Sequence, residues 1–296
     1  MAKQYYYFIA GLPSISLDDT KLMYSPEQFR EDAKAQLSTD DYQLLRLLHF
    51  PEDLLNLLDV IYKADRDPNP EGLFDTEYWQ EYRGYLIAKS DNRNLPVPEA
   101  YSALPTFVQD ILTEAMAQED MPPRDAIENA LLKAFYAYTA KHSNTFVREW
   151  FELERQIKNI LVAINARHHE MEYAEYLIGD DETVQNLKKS HAADFSLGKD
   201  HFVFDNIQRI WEQNNILYRE RGYDIFKAKW IDQQNFFEYF NIDRILGYYA
   251  KLRLINRWLK ADATWAKKYS TILWTSWRIA LASRKILISR LSKNRR

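Results

Sequence analysis

Six histidines, 43 acids and no cysteine set the limits of catalytic or metal chemistry in this 296-residue chain. Without thiols there is no disulfide framework, no thiolate metal site and no cysteine nucleophile. His168-His169-Glu170, with Glu172 close behind, is the cluster of ligand-type side chains that stands out. A zinc-binding helix needs a second His four residues after the first, so that both imidazoles share one face. Position 173 is Tyr173. A di-iron bundle needs Glu three residues before His. The residues in that position are Arg46, Thr139, Asn165, Ala166, Lys188 and Gly198, none of them acidic. His168 and His169 therefore read as a polar helix end, with a lone metal site beside Glu172 as the alternative. No two of the seven glycines lie closer than 12 residues. That spacing excludes a phosphate-binding loop, a dinucleotide fingerprint and a nucleophile elbow, each of which needs glycines grouped at a tight turn. Acid pairs such as Asp40-Asp41 and Glu152 with Glu154 read as solvated helix faces. No catalytic residue, cofactor or metal ligand is assigned.

Charge is distributed more tellingly. The whole chain carries −4, but residues 251–296 hold 13 of the 39 Lys and Arg and a single acid, Asp262. That segment is +12 and the rest of the chain −16. Within it Trp265, Tyr269, Trp274 and Trp277 interleave with Lys267, Lys268, Arg278, Arg284, Lys285 and Arg290. Basic and aromatic side chains mixed in this way suit an acidic protein face or a lipid headgroup layer, and less well single-stranded nucleic acid. The bland alternative is a terminal helix with a solvated basic outer face. Arg253 and Arg257, just upstream, join these six as candidate partner-binding residues.

The elements that carry these residues read as helices. Phe146, Trp150, Leu153, Ile157, Ile160 and Ile164 recur at steps of four and three, with charged residues between them. That is one apolar stripe on a long amphipathic helix. Ile127, Leu131, Ala134 and Tyr138 predict another. Ser25-Pro26-Glu27-Gln28 is a helix start, a capping Ser before Pro with Gln at the third position, and Ser38-Thr39-Asp40-Asp41 opens a second. Pro and Gly clusters at 67–72, 92–98, 121–123, 179–181 and 196–198 mark loops. Tyr5–Ala10 fits either a strand or a helix. No apolar run approaches bilayer length, and the Tyr-rich start is a poor secretory leader. The expectation is an all-α chain whose membrane association, if any, is peripheral.

Three segments look alike. Glu52-Asp53-Leu54-Leu55-Asn56-Leu57-Leu58, Glu154-Arg155-Gln156-Ile157-Lys158-Asn159-Ile160-Leu161 and Leu252-Arg253-Leu254-Ile255-Asn256-Arg257-Trp258-Leu259 place asparagines at 56, 159 and 256, intervals of 103 and 97. Chance likeness among Leu-rich helices is the competing explanation. The second segment, Glu154 to Arg167, resembles the repeated helix of the C-type family of V/A-type ATPase subunits (d-type in eukaryotes), which seats the rotor stalk on the membrane ring. The third, led by Ile245-Leu246-Gly247-Tyr248-Tyr249, is similar to that family's last repeat. Tyr5-Tyr6-Tyr7-Phe8-Ile9-Ala10-Gly11-Leu12-Pro13 resembles the opening of a bacterial family of unknown function encoded among V-type ATPase genes. The resemblance implies three helical repeats, 1–105, 106–200 and 201–296, arranged as a funnel-like body. It also implies a non-catalytic coupling subunit in the cytoplasm, peripheral to the inner membrane. Its implied partners are the central stalk and the membrane proteolipid ring, with no nucleic acid and no transmembrane segment of its own. The competing expectations are an adaptor acting through the basic C-terminal segment, and an enzyme built on a buried carboxylate or on His168 and His169.

Overall fold

The computed structural model describes residues 4–198 and 201–260. Among them are twelve α-helices and no strand. In chain order these are α1 (Tyr6–Ala10), α2 (Pro26–Gln36), α3 (Thr39–Leu47), α4 (Phe50–Ile61), α5 (Thr76–Asp91), α6 (Thr106–Met116), α7 (Arg124–Ala140), α8 (Thr145–His168), α9 (Glu182–Lys189), α10 (Phe202–Trp211), α11 (Ile216–Gln234) and α12 (Ile242–Lys260). Local chemistry explains where many of them begin. Ser25 and Gln28 form a reciprocal capping box on α2. Asp75, Asn144 and Asp181 each accept a backbone N–H at the start of α5, α8 and α9. Such caps satisfy donors that the first helical turn leaves unpaired. Tyr5–Ala10, open between strand and helix in the sequence, is helical from Tyr6.

The chain forms two compact units: Arg46–Thr139, and a second assembled from the segments on either side. In the first, α4 packs on α5 and α5 on α6. Its core includes Leu54, Leu57, Leu58, Trp79, Tyr82, Leu86, Val108, Leu112, Leu131 and Phe135. Arg124, at the start of α7, reaches Asp59 of α4 at 2.7 Å and also pairs with Glu128. The buried line of α7 runs Ile127, Leu131, Phe135 and Thr139, while Tyr138 is exposed. The sequence stripe through Ala134 and Tyr138 is thus displaced by one residue after Leu131. Phe135 is the bulkier apolar group, and it packs 5.7 Å from the Phe50 ring.

The second unit is centred on α8, which packs against α9, α10 and α12. All six residues of its apolar stripe are buried, and so are Val147, Phe151, Leu161, Val162, Ala163 and Ala166. A helix covered on more than one side is a central element rather than a surface one.

Each unit contains a helix whose buried asparagine grips the loop that follows it. On α4, Asn56 donates through Nδ2 to the Asn69 carbonyl at 3.0 Å, and its Oδ1 accepts the Asn69 N–H at 2.7 Å. On α8, Asn159 does the same to Ile178, at 2.8 and 2.9 Å. In both loops a glycine passes against the polar heads. A Cβ on Gly72 would lie 2.4 Å from Asn56 Nδ2, and one on Gly179 would lie 2.4 Å from Arg155 Nη1. Gly179 also has φ +101°, a conformation that L side chains rarely adopt. Beyond each loop an aspartate caps the next helix. Asn256, the third of the recurring asparagines, is also buried.

Candidate functional site

Of the eight basic residues singled out in the sequence, Arg253 and Arg257 lie within the described residues. Lys267, Lys268, Arg278, Arg284, Lys285 and Arg290 lie outside them. Arg253 is half-buried on α12. Arg257, one turn further on, sits in a cluster of charges where α8, α11 and α12 meet. Its guanidinium pairs with Asp224 of α11, whose side chain is 2% exposed. The Trp258 indole donates to the same Asp224 oxygen at 2.6 Å. Close by, Lys227 of α11 pairs with Glu154 of α8 at 2.8 Å. Glu220 stands one helical turn before Asp224.

Electrostatics hold the Arg257 guanidinium charged. Burial alone would lower the Arg257 pKa, but Asp224, Glu220 and Glu154 outweigh it and raise the value. Burial raises the Glu220 pKa, Asp224 adds to the rise, and Arg257 and Lys227 oppose it. A guanidinium held charged by several carboxylates is a strong tie between helices. The Arg257 head is therefore turned inward to α11.

His168 ends α8 and His169 follows it. The His168 ring meets Trp211 edge-on at 5.3 Å. Among the described residues no group of three or more His, Cys, Asp or Glu is placed to hold a metal ion. Among the same residues no helix is long and apolar enough to cross a membrane.

One surface was not singled out in the sequence. The α11–α12 connection carries Phe236, Phe237 and Tyr239, with exposures of 68%, 76% and 64%. Next to it lies α1, with Tyr6 at 53% and Tyr7 at 94%. The two segments are joined. The Tyr5 N–H donates to the Phe240 carbonyl at 2.6 Å, and the Tyr6 and Phe240 rings sit 4.5 Å apart. Phe236 and Phe237 meet edge to face at 4.8 Å. Tyr5 and Phe8 turn inward from α1: Phe8 meets Phe29 of α2 at 5.3 Å, and the Tyr5 hydroxyl donates to Asp41. The available signal was Phe236-Phe237-Glu238-Tyr239-Phe240 itself, four aromatics in five residues at a helix boundary, where no single helix face can bury them.

Comparison with known proteins places the chain at family level. Residues 1–273 match the family described as Protein of unknown function (DUF2764), and the chain belongs to that family. No curated protein and no solved structure matches it.

Proposed function

We propose that this chain is a non-catalytic coupling subunit of a V/A-type rotary ATPase, linking the central stalk to the membrane proteolipid ring. The observation that carries this reading is the recurrence of one local device about a third of the chain apart. Asn56 and Asn159, on α4 and α8, each pinch both polar groups of a single loop residue, and a glycine and a capping aspartate follow in each loop. The resemblance to the stalk-seating family rests on the helices that bear those asparagines, and the burial of Asn256 supports a third member. The uneven charge of the chain suits a protein held between two partners, because complementary potentials orient docking.

The test is a tagged pull-down of the full chain from gently solubilised native membranes, read by mass spectrometry. Stalk and proteolipid subunits are expected in near-stoichiometric yield. Recovery of the chain alone, or with unrelated soluble proteins, overturns the reading. In that event the charge concentrated in residues 251–296 favours the second reading, a peripheral adaptor. Deletion of 265–296 would then abolish binding to anionic vesicles, and added salt would weaken it in the full chain.

A further inference from the structure

We infer that the aromatic surface formed by α1 and the α11–α12 connection is a docking site for a protein whose apolar groove is rimmed by lysine and arginine. Tyr6, Tyr7, Phe236, Phe237 and Tyr239 are exposed on two adjoining segments, and the backbone and ring contacts at Phe240 hold those segments together. Contiguous exposed aromatics are what the centre of a protein interface is made of, since they bring large area at small cost in side-chain entropy.

The charges around the surface choose the occupant. Glu238 lies between the exposed rings, Asp243 opens α12, and Asp41 takes the Tyr5 hydroxyl with Asp40 beside it. Burial raises the Asp243 pKa, and Glu238 and Asp41 push it further in the same direction, against the Asn144 amide that donates to it. Asp243, Glu238 and Asp41 therefore share one field. Arg244 stands among them, with its guanidinium on the Asn235 carbonyl. Asp232, at the end of α11, is already paired with Lys251 at 2.8 Å. An acidic rim repels a second copy of itself, because an isologous contact would set Glu238 and Asp243 near their own counterparts. It equally repels an anionic bilayer. A groove with basic edges and an apolar floor satisfies both the rings and the rim.

The proposal stands apart from the ATPase reading. The identity of the captured protein bears on that reading, and the chemistry of the captured segment bears on this one. The experiment places the photo-crosslinking residue p-benzoylphenylalanine at Tyr7 or at Phe237 of the full chain in its native cell, with the same residue at exposed Glu119 as control. The cross-linked peptide is then sequenced. Both positions are expected to label one protein, in a segment of apolar residues flanked by Lys and Arg, at least fivefold above the control. Phe237→Ser, at an exposed position that leaves the core intact, should reduce labelling from Tyr7 at least fivefold. Glu238→Gln, which keeps an acceptor for Asn241, should lower the salt sensitivity of labelling. Labelling of a second copy, of lipid, of a segment without basic residues, or at the control level overturns the proposal. So does binding of the purified chain to phosphatidylglycerol vesicles that Phe237→Ser abolishes.

Discussion

The loops after α4 and α8 are pinned by the same asparagine device and differ in the second group that helps it. Beside Asn56, one turn earlier on α4, Asp53 accepts the N–H groups of Leu73 and Phe74 at 2.8 and 3.2 Å. Beside Asn159, one turn earlier on α8, Arg155 donates to the Ile178 carbonyl at 2.7 Å and pairs with Asp181 at 2.7 Å. The sign of the helper follows from what the loop presents: N–H groups in the first case, a carbonyl and a carboxylate in the second. The consequence is electrostatic. Burial pushes the Asp53 pKa up to about 7, with Glu52 adding to the rise and the two backbone N–H groups opposing it. Burial would lower the Arg155 pKa, but Glu152 and Asp181 outweigh it and raise the value. One pinch is therefore sensitive to pH near neutrality and the other stays charged.

The largest expected effect tests that asymmetry. The folded state binds the Asp53 proton more tightly than the unfolded chain, whose carboxylate titrates near the ordinary 3.8. The stabilisation this gives is fully present below that value and is lost as pH rises through about 7. About three pH units at roughly 1.4 kcal/mol each set a ceiling of about 4 kcal/mol. Asp53→Asn, whose Oδ1 can keep both backbone bonds, should flatten this dependence and protect the loop more than aspartate does at pH 8. Hydrogen exchange of residues 69–75 between pH 5 and pH 8 checks it. An unchanged slope would remove the special role of Asp53.

The next test compares the pinches themselves. Asn159→Ala strands the Ile178 N–H in a buried setting and leaves the Ile178 carbonyl to Arg155 alone, and should cost about 3 kcal/mol. Asn56→Ala faces a partly solvated loop, where water replaces some of the lost bonds, and should cost about 2 kcal/mol. Chemical denaturation of both variants measures the order, and a reversed order would mean that the exposure of the loops does not set the cost. The last test concerns the glycines, with Gly72→Ala the smallest effect. Gly179→Ala forces a side chain into φ +101° and displaces the Arg155 guanidinium, for about 2 kcal/mol. Gly72→Ala meets the flexible end of Asn56 with no positive φ, and should cost about 1 kcal/mol. Equal losses of thermal stability would show that backbone strain at Gly179 contributes little.

The helices themselves were legible in the sequence. The α8 stripe from Phe146 to Ile164 is buried at all six positions, and the Ser25 capping box forms as read. Both depend on neighbours within one or two turns, which the chain order already places together. The recurrence of Asn56, Asn159 and Asn256 was visible too, but not what the first two of them hold, since their loop partners lie 13 and 19 residues away. In α7 the buried line passed to Phe135 and Thr139, because the volume facing that helix, rather than its own periodicity, decides which ring is enclosed. Arg257 read as a candidate partner-binding residue, and its pairing with Asp224, 33 positions away in sequence, had no local signal. The aromatic surface joins residues 6 and 7 to 236–240, and no local pattern relates those segments. By itself, then, the sequence determined the helical class, the caps, the uneven charge and the recurring asparagines, all of which follow from short-range geometry and composition. Only the tertiary structure decided which polar groups meet and which rings stay in water, because both depend on packing between segments far apart in the chain.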